Sequence, residues 1–184
     1  MQDLAMQFSE IIVNSLNAES NLITIKIEDS DKKDKIIFEV KDDGRGMSKQ
    51  FLEKLTDPFQ SSRKIRKIGL GTAFFKEMCD LCEGEFKVES ELGVGTKVFS
   101  YVKKTNIDVP PMGNIPDMMM AMLTNTKETD IEFTYKTDID TFFFSTKEIK
   151  KILGKDVKIT NPDILVWIRD YISDGITKCK GGRL

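Results

Sequence analysis

The sequence of 184 residues contains no histidine. This absence excludes catalytic triads and dyads in which histidine is the base, and it excludes zinc sites that need a histidine ligand. If the protein transfers phosphoryl groups, the chain itself does not carry an acceptor histidine. Any chemistry must therefore use other side chains.

Other features are scarce as well. The chain has only three cysteines, an odd number that argues against a disulfide framework and for a reducing cytoplasm. No apolar run approaches the length of a membrane span, and the N-terminus lacks the basic start and apolar stretch of a signal peptide. The 28 basic and 30 acidic residues give a net charge of −2, without the basic excess of nucleic-acid binders. We expect a cytoplasmic protein that binds neither membrane nor nucleic acid.

The spacing of apolar residues predicts a mixture of helices and strands. Helices are predicted over 3–20, 48–55, 68–82 and 116–123, with a short helix ending at Gly154 and a last helix from Asn161. Strands are predicted over 22–28, 35–41, 85–91, 96–103, 131–135 and 141–144. Pairs of strands separated by helices predict an α+β fold, a two-layer sandwich with helices on one face of a mixed β-sheet.

The composition changes near residue 105. The stretch 108–112 (DVPPM) indicates a linker or a sharp change of direction. We therefore expect two parts, a main domain over 1–104 and, over 105–184, a small α/β C-terminal extension or a small α+β domain.

A carboxylate pair and two glycines follow the predicted strand 35–41, in the stretch 40–47 (VKDDGRGM). The Asp42 carboxylate suits an exocyclic amine such as that of adenine, and Gly44 and Gly46 would let a flat ring approach the backbone. Asp43 would be a solvated or turn-capping neighbour. The alternative interpretation is an ordinary β-turn after an edge strand.

Three polar residues lie at helical spacing on the first predicted helix. Glu10 and Asn14 are four residues apart and share a face, and Asn17 follows three residues later. An asparagine carbonyl is a suitable ligand for Mg²⁺, and a carboxylate one turn away could orient or deprotonate water. The alternative is the polar, solvated side of an amphipathic helix.

Glycines also precede a helix and a strand further along. Gly69, Gly71 and Thr72 (GLGT) open the predicted helix 68–82 after a basic loop, where backbone N–H groups and the helix dipole favour phosphate. Gly95 and Thr96 belong to a second glycine pair (GVGT), which a plain hairpin turn would also explain.

Taken in order, these motifs resemble one known family. E-x-x-x-N-x-x-N-A, D-x-G-x-G, D-P-F followed by G-L-G-T, and G-V-G-T occur in this sequence between residues 4 and 103. The set is similar to the ATP-binding domain of DNA gyrase, heat-shock chaperones of the Hsp-ninety type, sensor histidine kinases and MutL, the GHKL superfamily. The resemblance implies a Bergerat-type fold that binds ATP and Mg²⁺.

The resemblance also implies roles for single residues. Asn14 matches the magnesium-coordinating asparagine, Glu10 the general base of members that hydrolyse ATP, and Asp42 the adenine-binding aspartate. Gly44 and Gly46 would line the adenine ring. The other expected nucleotide contacts are Asn17, Phe59 of the D-P-F motif, Lys67 at the end of the ATP lid over 60–67, Gly69, Gly71, Thr72 and Thr96.

The expected function is Mg-dependent ATP binding, with slow hydrolysis or phosphoryl transfer to a separate protein partner. The tail after residue 105 resembles that of small stand-alone ATP-binding proteins of anaerobic bacteria, encoded beside iron-only hydrogenase genes. An alternative is therefore a module without turnover that senses ATP and regulates a hydrogenase or redox complex. A third interpretation is an interaction domain whose glycines only make turns.

The sequence leaves the oligomeric state open. Cys79 and Cys82 are expected to pack in the interior rather than to do redox chemistry.

Overall fold

The computed structural model describes residues 3–56, 70–126, 128–154 and 157–182. In chain order the elements within these ranges are α1 (Leu4–Asn17), β1 (Leu22–Ser30), β2 (Lys35–Asp42), α2 (Lys49–Thr56), α3 (Leu70–Leu81), β3 (Glu85–Glu91), β4 (Gly95–Lys103), α4 (Ile115–Thr124), β5 (Asp130–Thr137), β6 (Thr141–Ser145), α5 (Thr146–Leu153) and α6 (Pro162–Cys179).

The strands form a single six-stranded sheet in the order β3-β4-β2-β1-β5-β6. Neighbouring strands run antiparallel except β1 and β5, which are parallel. Alternate residues of each strand face the core, as Ile23, Ile25 and Ile27 do on β1, whereas Lys26 is exposed on the other face. The predicted α+β fold with a mixed sheet and helices on one face is confirmed.

Helices cover the apolar face of the sheet. Helices α1, α3 and α6 pack directly on the strands, and α4 contacts both α1 and α6. The core below α1 and α3 is built around the tilted rings of Phe8, Phe38 and Phe75, whose centroids lie 4.7–6.0 Å apart. The helices begin at the residues that the sequence favours: Asp3 caps α1, accepting from the Met6 N–H at 2.8 Å, and Asn161 caps α6.

The opposite face of the sheet is polar. Glu39 on β2 forms ion pairs of 3.2 Å with Lys26 on β1 and Lys97 on β4, so three adjacent strands are linked by charge. Among the described residues, no helix has both the length and the apolar character needed to cross a membrane.

The chain after residue 105 joins the same sheet, which the sequence did not predict. Strand β5 pairs with β1, with Ile131 opposite Ile23, and β6 pairs with β5 as an antiparallel hairpin. The N–H groups of Leu4 and Ala5 at the start of α1 donate to the carbonyls of Pro111 and Met112, at 3.0 and 2.9 Å. The division of the chain at residue 104 stays a prediction, since strands from both sides of it share one sheet.

Candidate functional site

A cavity of about 690 Å³ opens between α1 and the adjoining ends of β2 and β4. Its volume is in the range of pockets that hold small molecules. Apolar and polar side chains both line it: Ile11, Asn14, Ser15, Asn17, Ala18, Asp42, Arg45, Gly46, Met47, Ser48, Phe51, Thr72, Val88, Leu92, Thr96 and Val98.

Asp42 is the buried carboxylate of this cavity. It ends β2, lies opposite Thr96 in the β2–β4 ladder, and is only 4% exposed. Its Oδ2 accepts from the Ser15 hydroxyl at 2.6 Å, and its Oδ1 accepts from the Gly44 N–H at 3.0 Å. A carboxylate has about four acceptor positions, so two remain for a donor that enters the cavity.

The second carboxylate of the stretch has a different use. Asp43 is exposed, and its Oδ1 accepts from the N–H groups of Asn21 and Leu22 at 2.8 and 2.9 Å. It therefore fixes the start of β1 beside the end of β2, a capping role of the kind predicted for it.

The two glycines after Asp42 are required by close packing. A Cβ on Gly44 would lie 2.6 Å from the Ala18 carbonyl oxygen, and the next N–H, of Arg45, donates to that oxygen at 3.0 Å. Gly46 has φ +62°, and a Cβ there would overlap the Glu91 carbonyl group. The glycines thus bring the loop against the end of α1 on one side and the end of β3 on the other.

Thr96 is held in place by a small hydroxyl network. Its hydroxyl lies 2.9 Å from that of Ser90, which also donates to the Gly95 carbonyl and accepts from the Met47 N–H, each at 2.9 Å. The network joins the hairpin of β3 and β4 to the loop after Asp42, so both walls of the cavity are fixed relative to each other.

At the other end of the cavity, α1 meets the first turn of α3. The Asn14 Nδ2 donates to the Thr72 hydroxyl at 2.9 Å. One turn earlier on α1, the Glu10 side chain lies against Gly71, where a Cβ would come within 2.5 Å of the Glu10 Cβ. The glycine lets the N-terminus of α3 approach the exposed carboxylate and amide of α1.

The same contact orients the Asn14 amide. Because Nδ2 donates to Thr72, the carbonyl oxygen Oδ1 is the atom left to act as a ligand. In the described ranges, no three His, Cys, Asp or Glu side chains lie close enough together to hold a metal ion. One amide oxygen beside a helix N-terminus suits Mg²⁺ that takes its other ligands from phosphates and water, as Mg²⁺ commonly does.

The structure gathers most of the residues that the sequence singled out. Asn14, Asn17, Asp42, Gly46, Thr72 and Thr96 line the cavity. Three other predicted residues border the cavity without lining it. The Gly44 N–H donates a hydrogen bond to Asp42, and Glu10 and Gly71 contact each other beside Asn14 and Thr72. Phe59, Lys67 and Gly69 lie outside the described residues, as does the predicted loop over 57–67.

Sequence reasoning missed Ser15. It is a buried hydroxyl, 4% exposed, on the face of α1 that carries Ile11 and Ile12. A polar side chain at a core position needs a partner, and this rule is the signal that could have pointed to it. The aromatic side chain of Phe51, on α2, was also missed as a wall of the cavity.

An α+β sheet with a buried carboxylate at one end of its cavity and a glycine-opened helix at the other defines a nucleotide-binding domain. The family model described as histidine kinase-, DNA gyrase B- and HSP90-like ATPase matches residues 2–106. The chain therefore belongs to this family, and it contains a GHKL-type ATP-binding domain.

Individual similarities agree with this assignment. Hybrid signal transduction histidine kinases E and B of Dictyostelium discoideum are each 31% identical, over 139 and 107 residues, or 71% and 55% of this chain. The chain spans only 8% and 5% of the lengths of these two kinases. A crystal structure of the N-terminal domain of a DNA repair protein shares the fold, with a TM-score of 0.50 and 16% identity over 84% of this chain and 57% of that one.

Proposed function

We propose that the chain binds Mg·ATP in the cavity between α1 and the ends of β2 and β4. The observation that carries the proposal is the buried Asp42, which keeps free acceptor capacity after accepting from Ser15 and Gly44. An adenine amine would donate to Asp42, while Val88 and Val98 offer apolar surface to the ring. The cavity volume of about 690 Å³ supports a ligand of this size.

The phosphates would extend toward the first turn of α3. The backbone N–H groups around Gly71 and Thr72 and the positive end of the helix dipole favour an anion there. The Asn14 Oδ1 would be the protein ligand of Mg²⁺, and the ion would neutralise phosphate charge when bound. Lys67 and Gly69, which lie outside the described residues, are proposed to add to the phosphate site, and Phe59 to the nucleotide site.

Glu10 is the carboxylate proposed to act on water. It lies one turn from Asn14 and contacts Gly71, so it borders the proposed phosphate end. We therefore propose slow hydrolysis of ATP or transfer of its terminal phosphoryl group to a separate protein. A cytoplasmic location accompanies this proposal, supported by free thiols at all three cysteines.

Incubation with γ-labelled ATP tests the turnover step. A general base typically contributes ~10²–10⁴-fold to a rate, so Glu10→Gln should lower the release of labelled phosphate by about 10²-fold or more. The control is Glu148→Gln, which removes an exposed carboxylate from α5 and should leave release unchanged. Equal release from both variants would remove Glu10 from the mechanism, and label found on an added protein would identify transfer instead of hydrolysis.

A second candidate is an ATP-dependent regulator without turnover, acting on a hydrogenase or another redox complex. The observation favouring regulation is that the carbonyls of Pro111 and Met112 satisfy the N-terminus of α1, the helix that carries Asn14 and Ser15. A nucleotide that shifts or orders α1 would thereby also affect the position of the chain after residue 105, because the two are joined by these hydrogen bonds. Tight ATP binding with no labelled phosphate released over hours would support this function and exclude hydrolysis, whereas label found on an added protein would exclude a regulator without turnover.

A further inference from the structure

The two edges of the sheet differ in how they are protected. Edge strand β3 (EFKVESE) carries a charged residue at every second position, and Lys87, Glu89 and Glu91 are exposed. Charges of this kind prevent an edge from pairing with another chain. Edge strand β6 (TFFFS) has no charged residue, and the Phe143 side chain is 48% exposed.

The apolar surface of β6 continues onto α6. The Phe142 ring lies 5.5 Å from that of Tyr171, and Trp167 stacks on Tyr171 at 5.3 Å with an interplanar angle of 9°. Trp167 is nevertheless 51% exposed. Gly175 permits this proximity, because a Cβ there would overlap the Phe142 ring. We call Phe142, Trp167 and Tyr171 the β6–α6 surface; Phe143, the next residue along the strand, lies on the opposite face of the sheet.

The hydrogen-bond alternation directs the centre of β6 outward. In the hairpin between β5 and β6, the Thr137 N–H donates to the Asp140 carbonyl at 2.9 Å. Antiparallel pairs alternate, so Phe142 and Phe144 exchange hydrogen bonds with β5, and Phe143 does not. The N–H and C=O of Phe143 therefore point to the open edge, and among the described residues no strand lies on that side.

The two ends of β6 differ in polar character. The turn before it exposes Asp140, whereas the first turn of α5 after it exposes Lys147 beside Glu148. The N-cap of α5, Ser145, makes no side-chain capping bond, so the positive end of that helix is not satisfied by its own cap. An antiparallel neighbour with the same sequence would bring its Asp140 to this uncapped helix N-terminus, where the helix dipole favours a carboxylate.

We propose that β6 of one copy pairs antiparallel with β6 of a second copy about a two-fold axis at Phe143. The pairing would join two six-stranded sheets into one of twelve, and it would cover the β6–α6 surface of both copies. The interface is isologous, and each copy would place its Asp140 at the uncapped start of the other copy's α5, which favours a second copy over an unrelated partner.

The oligomeric state under dilution tests the proposal. Sedimentation velocity over a wide range of concentrations should show a dimer, and Phe143→Lys should weaken dimerisation by about 30-fold or more, the effect of losing a central interface residue. The control is Val94→Lys, because Val94 is 62% exposed on the hairpin at the opposite edge of the sheet. Thermal unfolding of each variant verifies that it is folded.

Crosslinking tests the register. Two Phe143→Cys copies would face each other with Cα atoms ~5.5 Å apart, within disulfide range, whereas Thr141→Cys copies would be ~13 Å apart along the strands. Oxidation by copper phenanthroline should crosslink the first variant and not the second, while the buried native cysteines stay unreacted. A monomer at all concentrations, a dimer unchanged by Phe143→Lys, or equal crosslinking of both cysteine variants would overturn the proposal.

Discussion

Replacing Asp42 by asparagine should remove adenine recognition while leaving the fold in place. In the wild type, Oδ1 accepts from the Gly44 N–H and Oδ2 from the Ser15 hydroxyl, and both oxygens can still accept. The Gly44 N–H belongs to the backbone and cannot turn away, so the asparagine oxygen must stay at Oδ1. The new NH₂ group then occupies the Oδ2 position, where the Ser15 hydroxyl can rotate to accept from it.

The ligand has no such freedom. An adenine amine that meets Asp42 at Oδ2 would now face another donor, and it would lose a hydrogen bond to a charged group worth ~1.5–3 kcal/mol. That loss corresponds to an increase of about 10- to 150-fold in the dissociation constant of Mg·ATP. The affinity is measured by titration calorimetry at fixed Mg²⁺ and salt.

An analogue makes the comparison specific. Purine riboside triphosphate lacks the 6-amino group, so it should bind the wild type about as weakly as ATP binds Asp42→Asn, and the variant should not distinguish the two nucleotides. The two proteins and the two nucleotides form a double-mutant cycle of four binding free energies. The effect of the substitution on ATP binding minus its effect on analogue binding is the coupling free energy between Asp42 and the amine. Equal losses for ATP and the analogue on substitution would refute the reasoning, because they would mean that Asp42 acts on the shape of the cavity and not on the amine.

Two further predictions concern the backbone and the thiols. Gly46→Ala should lower the free energy of unfolding by more than ~2 kcal/mol, because φ is +62° and the new Cβ would overlap the Glu91 carbonyl group. Gly93→Ala should lower it by only ~1–2 kcal/mol, because φ is +78° there but no atom lies within 4 Å of the new Cβ. Thermal unfolding of both variants measures the difference. Equal losses would contradict this account. Burial raises the pKa of the Cys79 thiol to about 12, and all three cysteines are buried and free, so thiol reagents at mildly alkaline pH should label them only after unfolding. Rapid labelling of the native protein would show that the thiols are accessible.

Local patterns in the sequence were sufficient to select several residues that line the cavity, because these patterns are short and depend on nearby residues. A carboxylate at a strand end followed by two glycines, and an amide one turn from a carboxylate on a helix, are visible without knowledge of the fold. The pairing of β2 with β4, which places Asp42 opposite Thr96, joins two separate hairpins, and no local pattern sets its register. The hydrogen bond from Ser15 to Asp42 joins residues 27 apart in sequence, and no local pattern predicts it.

Long-range pairing explains what the sequence did not reveal about the fold. Strand β5 is parallel to β1 across more than a hundred residues, and its apolar alternation would suit any neighbour equally well. The prolines of the stretch 108–112 indicate a linker or a sharp change of direction. In the structure the carbonyls of Pro111 and Met112 accept from the first N–H groups of α1, so this segment also completes a helix end.

Helix α1 therefore connects the candidate site with the chain after residue 105. Its first turn is completed by Asp3 and by the carbonyls of Pro111 and Met112, and its later turns present Asn14 and Ser15 to the cavity. The N–H groups at its start have no partner inside the helix, so loss of the segment around 111–112 would leave them to solvent and weaken the first turn of the helix. A ligand that orders α1 and a partner that contacts the segment 111–112 would act on the same helix, and by linkage each would change the affinity for the other by the same factor.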